Sequence, residues 1–172
     1  MPKRALLLIC AAAVLVAGCG SSKAPGVQLA PSGGATQAAA PTTPKVPKDL
    51  STKPTVTPPK SCDNKQLIKQ DLITGTGKAA QAGQTVTVNY VGVLCKNGKE
   101  FDSSWKRNQP FSTALSTGRV IPGWVQGIPG MKVGGRRELI IPSALGYGKN
   151  GSPPTIPPNA TLVFVVDLLS AG

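Results

Sequence analysis

Apolar and polar positions alternate through residues 61–74 around Leu67, Ile68, Leu72 and Ile73, and the breaker Gly75-Thr76-Gly77 follows. That pattern predicts a first strand and a turn. Gln84-Thr85-Val86-Thr87-Val88-Asn89-Tyr90-Val91-Gly92-Val93-Leu94 is rich in β-branched residues, with Val86, Val88 and Tyr90 on one face, so it predicts a strand with one side buried. Asn97-Gly98 then supplies a hairpin turn of the kind that needs positive φ. The stretch that begins Phe101-Asp102-Ser103-Ser104-Trp105 and runs to Phe111 reads as part of a long loop, its Asp-Ser-Ser a turn or capping cluster.

Beyond it, Val120-Ile121-Pro122-Gly123-Trp124 is an apolar run in which Pro122 presets a first helical position and Gly123 lets the chain turn in. A short amphipathic helix through Val125 and Ile128 is expected, with Trp124 at its base, either as plain core or as the floor of something. Gly134-Gly135 makes a turn, and Arg136-Arg137-Glu138-Leu139-Ile140-Ile141-Pro142 reads as another strand. Pro153, Pro154, Pro157 and Pro158 forbid helix and inner strand over the next stretch, which includes Gly146-Tyr147-Gly148. Residues 160–169 close the pattern as a strongly apolar strand centred on Phe164. Strand, strand, long loop, short helix, strand, long loop, strand makes an α+β layout, an antiparallel sheet packed on one helix.

The pattern before residue 61 is of another kind. Lys3 and Arg4 precede an apolar segment over residues 5–17, the charged and apolar regions of an export signal, too short to span a bilayer as a mature helix. It ends in Leu15-Val16-Ala17-Gly18-Cys19, which resembles the bacterial lipobox and implies removal of residues 1–18 with a lipid on Cys19; an ordinary signal with a coincidental cysteine is the alternative. Residues 19–60 alternate Ser, Gly and Ala with Pro, Thr and Lys, and every Phe, Tyr and Trp lies after Lys60. Such a composition predicts a disordered tether reaching about 35 Å as a coil and up to about 130 Å if polyproline-like, with the folded domain over residues 61–172. The expected location is the cell membrane or cell envelope, reached by export.

Charge and cysteine content narrow the chemistry. The net charge is +12, but the basic residues are scattered rather than interleaved with aromatics, so nucleic acid is not an expected partner. There is no histidine, which removes histidine general-base chemistry, and the four cysteines lack CxxC spacing, so a metal is not expected. Gly75-Thr76-Gly77 lacks the third glycine of a dinucleotide loop and nothing matches a P-loop, so a cofactor is not expected either. Cys62 and Cys95 are the two left in the domain, and an exported location permits their pairing; two buried free thiols are the alternative.

No nucleophile with an adjacent base and no phosphate-cradling loop is present. What accumulates is aromatic: Tyr90, Phe101, Phe111, Trp124, Tyr147 and Phe164, each in a different segment, with Val120, Ile121 and Ile156. These are either one hydrophobic core or the lining of a concave apolar pocket.

The order Tyr90, Phe101-Asp102-Ser103-Ser104, Arg107-Asn108-Gln109-Pro110-Phe111, Val120-Ile121-Pro122-Gly123-Trp124, Gly146-Tyr147-Gly148 and Ile156-Pro157-Pro158-Asn159-Ala160-Thr161-Leu162-Val163-Phe164 resembles the FKBP-type peptidyl-prolyl cis/trans isomerases, in a bacterial lipoprotein form. The resemblance implies a curved antiparallel sheet wrapped around one short helix. It also implies proline-containing proteins or peptides and macrolides such as rapamycin as partners, and the chain is expected to be a monomer. By similarity Trp124 is the floor under the prolyl ring, Tyr90, Phe101, Phe111, Val120, Ile121, Ile156 and Phe164 contribute to the pocket, and the Ile121 N–H and Tyr147 hydroxyl donate to carbonyls. Asp102 faces the reacting carbonyl, held by Arg107 and Tyr90, and Asp102, Tyr147, Tyr90 and Phe101 are assigned to catalysis. The chain departs from the family at the rim, with Arg119 where an acid is common, Ser152 where a histidine is frequent, and Thr155 in place of an apolar residue. The expected function is a folding catalyst for exported proteins, working from a lipid anchor; a binding module for proline segments or macrolides with little turnover is the alternative.

Overall fold

The structure, a computed structural model, describes residues 50–172. The expected signal over residues 1–18, the acylation site at Cys19 and the linker as far as residue 49 lie outside the described residues. The elements in order are β1 (Ile68–Ile73), β2 (Thr85–Leu94), β3 (Glu100–Ser103), β4 (Phe111–Ala114), α1 (Pro122–Gly127), β5 (Arg136–Ile141) and β6 (Leu162–Ala171). Short 3-10 turns at Trp105–Arg107 and Ser143–Leu145 join them.

The strands form one antiparallel sheet in the order β1-β5-β6-β2-β3, and β4 also pairs with β2. β2 and β6 are its spine, in register from Val86 opposite Ala171 to Leu94 opposite Leu162. The other edge of β2 is shared: β4 takes its start, with Thr85 opposite Ala114, and β3 its far end, with Val91 opposite Ser103. The long loop expected after Asn97-Gly98 is corrected accordingly, since it contains two strands of four residues each. The turn itself is as expected: Gly98 has φ 69° and Lys99 N–H donates to Asn97 Oδ1 at 3.0 Å. Register shifts at Asp71/Ile73, Thr87/Val88 and Gly92/Val93 bend the strands, and the sheet curves around α1.

On the concave face Trp124 and Ile128 from the helical segment meet Val86, Val88, Leu139, Ile141, Leu162, Val166 and Leu168 in a closed apolar core. Proximity explains the glycines of α1. A Cβ on Gly123 would stand 2.5 Å from the Ile141 side chain and one on Gly127 2.8 Å from that of Leu139, so a bare helix face is what lets α1 lie directly on β5. Arg137 fixes the other end of the helix. Its Nη1 donates to the Gly127 carbonyl at 2.8 Å, while Nε and Nη2 hold the two oxygens of Asp71 at 2.5 and 3.0 Å. Three orphan-prone groups are thereby satisfied at once: a helix-end carbonyl, a largely buried guanidinium and a carboxylate.

The convex face is covered too. Residues 50–60, assigned to the linker on composition, run along it: Pro54 is buried, and Val56 and Cys62 pack against Val91, Val93, Cys95, Ile140 and Val163. Polar contacts tie the segment down, with Arg136 Nη2 donating to the Thr52 carbonyl at 3.0 Å and Lys53 Nζ to Glu100 at 2.8 Å. This strap is why β2, expected to bury one face, buries both from Val91 to Leu94. Cys62 and Cys95 are bridged, Cα to Cα 5.8 Å, which anchors the strap to the end of β2 across a sequence separation of 33. Closing such a loop is worth about 3–4 kcal/mol on the chain-entropy account. Thr161 adds two hydrogen bonds beside the bridge, donating from its hydroxyl to the Cys62 carbonyl at 2.8 Å and accepting at its carbonyl from Cys95 N–H at 3.0 Å.

Candidate active site

A cavity of about 150 Å³ opens between the far half of the sheet and α1. Trp124 lies at its base because Pro122 starts α1 one residue after Ile121, whose extended backbone (φ −62°, ψ 149°) forms the helix N-cap. The indole meets Tyr90 edge-on with ring centroids 5.2 Å apart and Phe164 edge-on at 5.4 Å. Phe111 stands edge-on to both Tyr90 and Trp124, at 5.9 and 6.3 Å, and Phe101 edge-on to Phe164 at 5.4 Å. Perpendicular rings with these spacings are the favoured aromatic geometry and leave little freedom to any one of them. Gly92 of β2 makes room for Phe101 of β3 and Phe164 of β6, since a Cβ there would stand 2.7 Å from Phe164 and 2.8 Å from Phe101.

One wall is polar. The Tyr90 hydroxyl donates to Asp102 Oδ2 at 2.5 Å, Arg107 Nη1 donates to Asp102 Oδ1 at 2.6 Å, and Arg107 Nη2 donates to the Tyr90 oxygen at 2.7 Å. A fourth contact comes from the chain itself, the Ser103 N–H donating to Asp102 Oδ1 at 2.8 Å. Burial would push the Asp102 carboxyl up, but the hydrogen bonds from Tyr90 and Arg107 and the guanidinium charge outweigh it and hold it below the usual carboxylate range. Burial and the same carboxylate push the Tyr90 hydroxyl up to about 12. Tyr147, 40% exposed at the mouth, is also raised, by burial and then by the Asp102 charge; its hydroxyl makes no hydrogen bond among the described residues.

Nearly all the residues assigned by resemblance come together here. Tyr90, Phe101, Asp102, Phe111 and Val120 line the cavity from the sheet side and its turn, and Ile121, Trp124, Tyr147 and Phe164 complete it. Two of the assigned residues do not line it. Arg107 stands behind Asp102 and over the Tyr90 ring, 5.7 Å from its centroid, and Ile156 is 4% exposed within the core cluster. Arg119, noted in the sequence only as a departure at the rim, is a lining residue.

Sequence reasoning took Ser103 and Ser104 for a capping cluster and missed the job of Ser104. Wholly buried, its hydroxyl accepts from the Tyr90 N–H at 2.9 Å and donates to Asn89 Oδ1 at 3.0 Å, which pins the backbone that carries the Tyr90 ring to the turn that carries Asp102. A hydroxyl directly after the acidic turn was the available signal, but capping explained it equally well.

The arrangement is chemically restrained. It offers a buried aromatic floor, an ionised carboxylate fixed by three donors, and a phenol free to donate, with no nucleophile poised beside a base among the described residues.

The family model described as FKBP-type peptidyl-prolyl cis-trans isomerase matches residues 76–169. A relative named FK506-binding protein from Streptomyces anulatus is 54% identical over 105 residues, covering 60% of this chain and 85% of the relative. Among solved structures, FkpA from Escherichia coli aligns with a TM-score of 0.57 at 48% identity, covering 61% of this chain and 47% of that one. A peptidyl-prolyl cis-trans isomerase from Pseudomonas syringae pv. tomato aligns with a TM-score of 0.56 at 36% identity, over 62% of this chain and 75% of that one.

Proposed function

Because the chain belongs to the FKBP-type peptidyl-prolyl cis-trans isomerase family, we propose that its aromatic cavity rotates X-Pro bonds in exported proteins, from a lipid anchor at Cys19 in the cell membrane or envelope. The observation that carries the site reading is the ring set around Trp124 with Asp102 locked beside it. Rotation about an X-Pro bond meets a barrier of about 20 kcal/mol because it destroys amide resonance, and it needs neither a covalent catalyst nor a proton carrier. The twisted amide has a less polar carbonyl than the planar one. A water-poor aromatic cavity therefore favours the twisted form over the well-solvated planar form, which is the differential that lowers a barrier.

In this reading the prolyl ring rests on the Trp124 indole between Tyr90, Phe111 and Phe164. The Ile121 N–H and Tyr147 hydroxyl fix the flanking carbonyls, and Asp102 faces the rotating carbonyl as a fixed charge rather than as a base. Macrolides that mimic a prolyl ring would occupy the same cavity.

A protease-coupled assay on an Ala-Leu-Pro-Phe type peptide tests the activity. Acceleration is expected, with kcat/KM flat between about pH 5.5 and 8.5: a carboxyl held below its ordinary value of about 3.9 keeps its charge throughout that window, and both tyrosines stay neutral. The folding stability contributed by Asp102 follows the same sign, present above its unfolded value and lost only as pH falls through the depressed one. Lack of acceleration over buffer sinks the catalytic reading and leaves the binding module, whereas a bell-shaped profile with a limb near neutrality overturns the fixed-charge role. The anchor has its own test: the wild-type chain is expected in the detergent phase and Cys19→Ser in the aqueous phase on Triton X-114 partition of expressing cells, and identical partition of the two removes it.

A further inference from the structure

Two charged side chains line the cavity, and they are in opposite situations. Asp102 receives donors from Tyr90, Arg107 and the Ser103 backbone, so its charge is answered from within the protein. Arg119 is exposed, and its guanidinium makes neither hydrogen bond nor ion pair among the described residues. Its backbone is nevertheless held. Arg119 N–H donates to the Ser116 carbonyl at 3.2 Å across a tight turn in which Gly118 has φ 83°, and Val120 and Ile121 follow directly into the cavity wall. The turn thus presents an unanswered positive charge at the mouth, on the segment that leads to Trp124.

We infer that Arg119 is a specificity-determining residue that gives the cavity a preference for substrates with an Asp or Glu carboxylate flanking the proline. This rests on the proposed isomerase function and deepens it. A guanidinium offers a fork of donors matched to a carboxylate, and a lysine flanking the proline would meet repulsion instead. The pairing is solvent-exposed and therefore modest. Attraction for one charge and repulsion for the other together give about a five- to tenfold difference between acidic and basic peptides at low salt, shrinking as ionic strength rises. A carboxylate on the residue after the proline does not travel with the rotating carbonyl, so there the same contact exists in ground and transition states and the difference falls in KM rather than kcat.

The experiment compares peptides that differ only in Glu, Leu or Lys beside the proline, tried on either side of it, with the full chain and with Arg119→Gln and Arg119→Glu. The ratio of kcat/KM between the Glu and Lys peptides is the readout. It is expected to be about five to ten for the wild type, near one for Arg119→Gln and inverted for Arg119→Glu. Equal turnover of all peptides by the wild type, or a ratio that survives Arg119→Glu, overturns the inference while leaving the isomerase reading intact. Should the chain accelerate none of them, that reading falls, and calorimetric binding of the Glu and Lys peptides decides the inference by the same ratio.

Discussion

Replacing Asp167 with alanine is expected to lower the free energy of unfolding by about 3–5 kcal/mol, measured by urea denaturation at pH 7. Asp167 and Arg136 are both 0% exposed and stand opposite each other on β6 and β5, with Arg136 donating from Nε to Asp167 Oδ1 and from Nη2 to Asp167 Oδ2 at 2.6 Å. The guanidinium has little else: the Thr52 carbonyl of the strap takes a second bond from Nη2, and Nη1 has no partner among the described residues. Without the carboxylate an uncompensated cation is left beneath the strap, out of reach of water, and that penalty exceeds the value of the bond removed. The double replacement Arg136→Met with Asp167→Leu is expected to recover most of the loss, since two apolar side chains of similar size carry no charge to desolvate. A single replacement costing under about 1 kcal/mol would mean that the pair is wetted like a surface ion pair and that the strap does not seal it.

The strap is also where sequence reading stopped short. Pro54 and Val56 sit in a run of Pro, Thr and Lys whose composition says solvated, and nothing in a one-dimensional pattern shows that Val91, Val93, Ile140 and Val163 leave an apolar stripe on the convex face for it to cover. Cys62 was the clue, because a bridge to Cys95 obliges the chain just before it to lie against the end of β2. β3 and β4 escaped for a related reason: four residues each, with Glu100, Asp102 and Ser103 among them, they lack an alternation of their own and are strands because β2 offers an edge. By contrast β2, β5, β6 and α1 were legible from Val-Thr alternation, apolar runs and Pro122, whose physics is local. For the cavity, the residues read in order along the chain converge except at Ile156 and Arg107. Ile156 faces the core from its proline-rich loop, and Arg107 acts through Asp102 and Tyr90, distinctions that depend on side-chain direction, which spacing alone does not carry.

Trp124→Ala is expected to have the largest effect on activity. It removes a ring that is 4% exposed and edge-on to Tyr90, Phe111 and Phe164, so about 3–5 kcal/mol of stability goes with it. The reaction loses more specifically. Roughly 100 Å² of prolyl surface buried against the indole, at about 25 cal/mol per Å², is worth about 2.5 kcal/mol, so kcat/KM is expected to fall by about 50- to 100-fold. Trp124→Leu separates the two losses, because it fills much of the core volume while removing the flat floor: it is expected to unfold closer to wild type yet remain impaired by tenfold or more. The other tryptophan supplies the control. Trp105 packs with the convex cluster on the far side of the sheet, so Trp105→Phe is expected to retain activity and to leave Trp124 as the sole indole, whose fluorescence then reports ligands entering the cavity. If folded Trp124→Leu and Trp124→Ala both keep kcat/KM within threefold of wild type, the prolyl ring does not rest on this indole, and the bond turns over somewhere other than between Tyr90, Phe111 and Phe164.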